Sequence, residues 1–253
     1  MNEIRFGERV ALVTGSGRGL GRAYALALAR RGASVVVHDA GVEADGSGGD
    51  PTVADGVVAE IVTAGGTAVP CYENVESEAG CLAAVEFAFA SFGRLDVVIQ
   101  NAGLLAWEEF EDADRSWERL RRVKVDAPFH ITRAVLPTMK QQGYGRFVFT
   151  TSGRAMDLER TRPGLAAYAV GKMSHFALMI VAAVEGAPHG ILANAIAPAA
   201  ATRMHAQTGR SWRAGSRAGR AGRRLPRVRA MQLHREGPRS WRRGIRRCPL
   251  DLE

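Results

Sequence analysis

The sequence is poor in cysteine, with three among 253 residues. Cys71, Cys81 and Cys248 are an odd, scattered set without metal-ligand spacing, so neither a disulfide framework nor a metal site is expected. They suit reduced thiols and a cytoplasmic location. No unbroken apolar run approaches the roughly 18 residues of a membrane span, so neither a transmembrane helix nor a membrane partner is expected. The opening Met-Asn-Glu-Ile-Arg-Phe-Gly-Glu-Arg includes acidic residues and lacks the apolar stretch of a secretory signal. Residues 205–253 contain no lysine, yet they hold 14 arginines against 3 acidic residues. The whole-chain charge of +8 is a property of that stretch alone, and residues 1–204 are slightly acidic. Net charge therefore gives no reason to expect a nucleic-acid partner for the rest of the chain.

What is present is a sizeable apolar fraction, 46%, in a length that suits one α/β domain. An apolar run over residues 10–13 ends in Thr14-Gly15-Ser16-Gly17-Arg18-Gly19-Leu20-Gly21, and a helical pattern begins at once with Leu20, Ala23, Tyr24, Ala27 and Leu28. Strand, glycine turn and helix in succession bring unpaired N–H groups and a positive dipole end to one point, where a pyrophosphate is the natural guest. The run 34–38 is apolar in the manner of a buried parallel strand and leads into Asp39. A carboxylate there can accept hydrogen bonds from a ribose 2′-OH and would repel a 2′-phosphate, which points to NAD over NADP.

Further along, residues 41–51 form a glycine-rich insertion, 52–64 a helix, 67–71 a strand, and 77–92 a helix with Ser77 as N-cap and Gly93 as stop. Asn74 and Val75 follow the third strand, placed to meet an adenine. A fourth strand at 96–100 ends in Asn101-Ala102-Gly103. A loop over 104–113 precedes helical sequence at 114–143, interrupted near Pro128. A strand at 146–152, a polar loop at 153–164, a long helix at 165–185 and a strand at 191–196 complete the pattern. Strands alternating with helices over short connections predict a doubly wound parallel sheet.

Three residues fall where the later elements should meet the crevice. Tyr168 and Lys172 are four apart and share a helix face, and Ser152 ends the fifth strand. A phenol of pKa about 10 is too weak an acid at neutral pH, and a nearby ammonium favours the phenolate. Such a tyrosine can exchange a proton with an alcohol or carbonyl oxygen that Ser152 orients.

These residues resemble the short-chain dehydrogenase/reductase family. The resemblance rests on Thr14-Gly15-x-x-x-Gly19-x-Gly21, Asn101-Ala102-Gly103, Ser152 and Tyr168-x-x-x-Lys172. Within the family, Arg18-Gly-Leu-Gly-Arg-Ala-Tyr-Ala, His38-Asp-Ala-Gly, Tyr144-Gly-Arg and Asn194-Ala-Ile-Ala-Pro198 through Thr202-Arg-Met are similar to the (3R)-hydroxyacyl-CoA dehydrogenase part of multifunctional β-oxidation enzymes and bacterial relatives. The resemblance implies a single Rossmann-type domain over residues 1–204. It implies hydride transfer between NAD and a secondary alcohol or ketone, with an acyl-CoA as one candidate substrate. It carries the cofactor onto Gly15, Arg18, Gly19, Leu20, Gly21, Asp39, Asn74, Val75, Asn101, Ala102, Gly103, Tyr168, Lys172 and Pro198, and catalysis onto Ser152, Tyr168 and Lys172. It further implies that Lys172 binds the nicotinamide ribose, and that the chain forms a homodimer or homotetramer if its C-terminus is intact.

Three departures stand out. Lys124 occupies the place where the family usually has an asparagine that helps hold a relay water. Ser152 lies 16 positions before Tyr168, a few more than usual. Residues 205–253 lack the covering helix and the last strand of the family. Arginine, glycine and tryptophan without lysine are what GC-rich coding DNA yields out of frame. Back-translated residues 231–244, shifted one base, can read Cys-Ser-Cys-Thr-Gly-Lys-Val-Leu-Glu-Val-Gly-Gly-Gly, which looks like the absent strand. A frameshift between about Met204 and Arg213 is the expectation, ahead of a disordered tail or a basic tail that binds acidic partners. The competing reading of the whole chain is a catalytically impaired dinucleotide-binding protein.

Overall fold

The computed structural model describes residues 4–43, 47–198 and 230–231. Thr202, Arg203, Met204 and the arginine-rich stretch, save Ala230–Met231, lie outside the described residues. The elements are β1 (Val10–Thr14), α1 (Gly19–Ala29), β2 (Ser34–His38), α2 (Thr52–Thr63), β3 (Thr67–Cys71), α3 (Glu78–Phe92), β4 (Val97–Gln100), α4 (Asp114–Arg121), α5 (Ala127–Gln142), β5 (Gly145–Thr150), α6 (Gly153–Met156), α7 (Ala166–Gly186), β6 (Ile191–Ile196) and β7 (Ala230–Met231).

The sheet runs in the order β3-β2-β1-β4-β5-β6-β7. The first six strands are parallel. Burial at every position of β1 is dictated by helices on both faces. Val10 and Leu12 join one core with α3, α5 and α7. Ala11 and Val13, pointing the other way, join a second core with α1 and α2. The strand order reverses between β1 and β4, so their carboxyl ends open the crevice where ligands of such sheets bind.

Local signals position these elements. Ser77 caps α3 by accepting from the Gly80 N–H at 3.0 Å. Gly93, with φ of +73°, ends it in the left-handed conformation that glycine adopts without penalty. By length and hydropathy α7 could cross a membrane, and this was not expected from unbroken runs. One face of it packs into the core, where Met179 and Ala182 are buried, while Val181 and Val184 on it are exposed.

The structure corrects several expectations. The interruption near Pro128 is a π-helical turn, Arg122–Asp126, and no break in the helix. Pro128 sits in the first turn of α5, where its missing N–H loses no helical bond. The loop at 104–113 contains a 3₁₀ turn, Phe110–Asp112. The polar loop at 153–164 opens with α6. At the sheet edge, β7 supplies two residues antiparallel to β6, in place of a full parallel strand.

Candidate active site

The glycine turn is shaped by its neighbours. Gly15 and Gly19 have φ of +65° and +56°, conformations closed to most side chains. A Cβ on Gly21 would fall 2.0 Å from the Gly15 carbonyl oxygen, so nothing larger fits. Thr14 locks the turn to the end of β4. Its hydroxyl donates to the Ile99 carbonyl at 3.3 Å and accepts from the N–H groups of Asn101 and Ala102 at 3.0 and 3.1 Å. Asn101 returns the bond through its amide, which donates to the carbonyls of Thr14 and Gly15 at 3.0 Å. The Asn101 side chain thus acts first as a clamp on the cradle.

Asp39 stands at the end of β2 beside this turn. Its two carboxylate oxygens accept from the N–H groups of Gly17 and Gly41 at 2.8 and 2.9 Å. Each oxygen retains acceptor capacity for a hydroxyl. Arg18 reaches the Val42 carbonyl at 3.3 Å and Glu43 at 3.6 Å. It provides no side-chain cap for α1, and the first turn of that helix has no acidic residue, so the helix start is free to meet an anion. The cradle therefore fits a dinucleotide pyrophosphate. Leu20 is partly buried and Val75 fully so. Asn74 is exposed, and its side chain accepts from the Glu76 N–H at 2.9 Å. Pro198 follows β6, partly buried.

Ser152 and Tyr168 come together despite their 16-residue separation. Burial raises the Tyr168 phenol above its ordinary value, and a hydrogen bond with Ser152 and the charge of Arg154 oppose the rise. Ser152 also caps α6, accepting from the Arg154 N–H at 3.2 Å. Lys172 is buried, and burial lowers its ammonium to about 8. Its Nζ donates to the Thr150 carbonyl at 2.6 Å, while Thr151 donates to the Lys172 carbonyl at 2.8 Å. In this arrangement Ser152 and Arg154 are groups that favour the Tyr168 phenolate. Arg154 was visible in the sequence only as one charge in an unusually polar loop. Its guanidinium lies 5.6 Å from the Trp107 ring centre.

Lys124, in the π turn, is wholly buried. Among the described residues its Nζ has no hydrogen-bond partner, and it lies 5.0 Å from the Tyr168 ring centre. Burial, and then the charge of Lys172, holds its pKa well below the usual lysine value. His175, one turn beyond Lys172, is equally buried, and neither ring nitrogen has a partner among the described residues. Burial and the charges of Lys172 and Lys124 hold it well below the usual imidazole value, and the Lys124 backbone opposes them weakly.

Sheet order, crossover crevice and anion cradle define a class, the doubly wound α/β proteins that bind nucleotides. The profile of a family described as short chain dehydrogenase matches residues 9–213. Over 202 residues the chain is 43% identical to the peroxisomal multifunctional enzyme type 2 of Mus musculus, a match that covers 79% of this chain and 27% of that protein. It is 41% identical over 198 residues to a short-chain type dehydrogenase/reductase of Mycobacterium tuberculosis, covering 78% of this chain and 68% of the relative. Among solved structures, a 7α-hydroxysteroid dehydrogenase complexed with NADH and 7-oxo glycochenodeoxycholic acid superposes with a TM-score of 0.70 at 31% identity, covering 78% of this chain and 72% of that one. The chain belongs to the short-chain dehydrogenase family, and is an oxidoreductase by class.

Proposed function

We propose that the protein is an NAD-dependent dehydrogenase/reductase of secondary alcohols and ketones, with 3-hydroxyacyl thioesters as the first substrates to try. The observation that carries this reading is the convergence of Ser152 on the Tyr168 phenol, one helical turn from the buried Lys172. A bound nicotinamide dinucleotide supplies the hydride chemistry. The chain's own groups supply the rest. Tyr168 exchanges a proton with the substrate oxygen, Ser152 holds that oxygen in place, and Lys172, charged below about pH 8, keeps the pocket positive toward developing negative charge. The helix start at Gly19 and the N–H groups of the glycine turn hold the pyrophosphate. Asp39 favours NAD, because its carboxylate accepts from ribose hydroxyls and repels a 2′-phosphate.

The thioester suggestion draws on the mouse multifunctional enzyme's similarity and on the rim of the crevice. Phe110 and Leu158 are mostly exposed, and Trp107 and Met156 partly so, on the two loops that border Ser152 and Tyr168. Apolar side chains left in water on such loops suit an acyl chain. A panel of secondary alcohols, ketones and 3-hydroxyacyl-CoAs, run with NAD and with NADP, tests the reading. Turnover with NAD that disappears in Tyr168→Phe, with dinucleotide binding retained, is the expected result. Turnover that survives Tyr168→Phe would overturn the assigned proton exchange.

A further inference from the structure

We propose that Lys124 is a second titrating group of the active site, an amine that takes up the proton released when the alcohol is oxidised and returns it in the reverse direction. The inference rests on the oxidoreductase reading above.

A buried ammonium without a partner is expensive, and lysines in such places shed their proton. Among the described residues no carboxylate pairs with Lys124 or Lys172. The nearest acid in sequence, Asp126, pairs with Arg121. The amine is nevertheless held firmly. A Cβ on Gly171, the residue before Lys172, would meet the Lys124 stem at 2.6 Å. A Cβ on Gly103 would meet Nζ at 2.5 Å, so the amine is aimed between the end of β4 and the Tyr168 ring. The titratable groups facing it are Tyr168, Lys172 and His175, all from α7, and Arg154 on α6 bears on Tyr168. Every one of these is a base, a cation or a neutral phenol.

That composition limits the pocket to little positive charge at a time. Lys172 carries it below about pH 8, and Lys124 then keeps its lone pair. Alcohol oxidation changes the balance. The C–H electron pair leaves as hydride to an oxidised nicotinamide and cancels its positive charge. The O–H bond breaks, the C=O bond forms, and the proton passes by way of Tyr168 to the Lys124 amine. One positive charge is lost from the pocket as another is gained. Lys124 is therefore a stronger base beside the reduced cofactor than beside the oxidised one.

The test is the proton count of cofactor binding, which needs no turnover. Calorimetric titrations of NADH and of NAD are run between pH 6 and 8 in buffers of different protonation heat. Binding of NADH should take up as much as about one proton more per site than binding of NAD. The difference should be lost in Lys124→Met and in Lys124→Gln. Equal proton counts in the wild type, or a difference that persists in a folded Lys124 variant, would overturn the proposal. Should both variants unfold, equal proton counts in the wild type still overturn the proposal. Binding of both dinucleotides without a proton difference sinks this inference alone. Failure of either dinucleotide to bind sinks the oxidoreductase reading, and this inference with it.

Discussion

Two buried threonines offer a paired measurement of how the cofactor cradle is held. Thr14 is 1% exposed, and its hydroxyl serves three backbone groups at the junction of β1 and β4. Thr132, on α5, is 8% exposed, and its hydroxyl has no partner among the described residues. Valine is nearly isosteric with threonine, so substitution at either site changes hydrogen bonding with little change in packing. In Thr14→Val the N–H groups of Asn101 and Ala102 lose their acceptor and the Ile99 carbonyl loses a donor. A buried polar group left unsatisfied costs roughly 1–3 kcal/mol, so a loss of about 2–5 kcal/mol is expected. That is a large part of the roughly 5–15 kcal/mol by which domains are stable, and corresponds to a fall in Tm on the order of 10 °C. Thr132→Val removes a hydroxyl that is buried without return, so stability should hold or rise. Urea unfolding followed by far-UV circular dichroism gives both values. Thr14→Val should also weaken NAD binding, because the same bonds fix Gly15 against Ala102. If the two variants differ by less than about 0.5 kcal/mol, the hydroxyl of Thr14 is not what joins the cradle to β4.

Other outcomes follow from the same geometry. Asp39→Ala should erode the preference for NAD over NADP by about tenfold or more in kcat/KM, and an unchanged ratio would remove Asp39 from cofactor selection. Lys172 gives a pH signature. Its folded pKa of about 8 lies below the unfolded value, so between about pH 8 and 10.5 the unfolded chain binds more protons and stability rises with pH. Below pH 8 the cost of the buried charge is fully present, so Lys172→Met should stabilise the fold by about 3 kcal/mol at neutral pH while losing turnover; destabilisation at pH 7 would contradict this. Coding DNA across residues 200–253 decides the frameshift proposal: the plus-one frame should hold the strand peptide given above, and an early stop there would end the idea.

Much of the fold was legible because strands buried on both faces leave unbroken apolar runs. The bounds of β2 coincide with such a run at residues 34–38, and those of β3 and β6 with the less buried stretches 67–71 and 191–196. Ser77 and Gly93 delimit α3 through capping chemistry that depends only on adjacent residues. What could not be read depends on contacts distant in sequence. Nothing in Arg122–Asp126 announces a π turn, since its residues would suit an ordinary helix. Nor does the sequence near Lys124 indicate burial, which follows from how Gly103 and Gly171 make room for it. The wide spacing of Ser152 and Tyr168 cast doubt on their meeting, and α6 resolves it by folding the intervening residues back on themselves. Ser152 lies close enough to bear on the Tyr168 phenol, which favours the dehydrogenase reading over a catalytically impaired protein.

The segment between those two residues is tied at both ends. Ser152 caps α6 at one end, and at the other Gly164 accepts from the Glu108 N–H at 3.1 Å, next to a bridge between Glu108 and Leu165. Apart from Arg154, whose charge bears on Tyr168, everything between is therefore an exchangeable cassette. Its length and other side chains can be rewritten without moving the serine or the tyrosine, so natural variation or a designed library could change which molecule is accepted while the proton chemistry stays where it is.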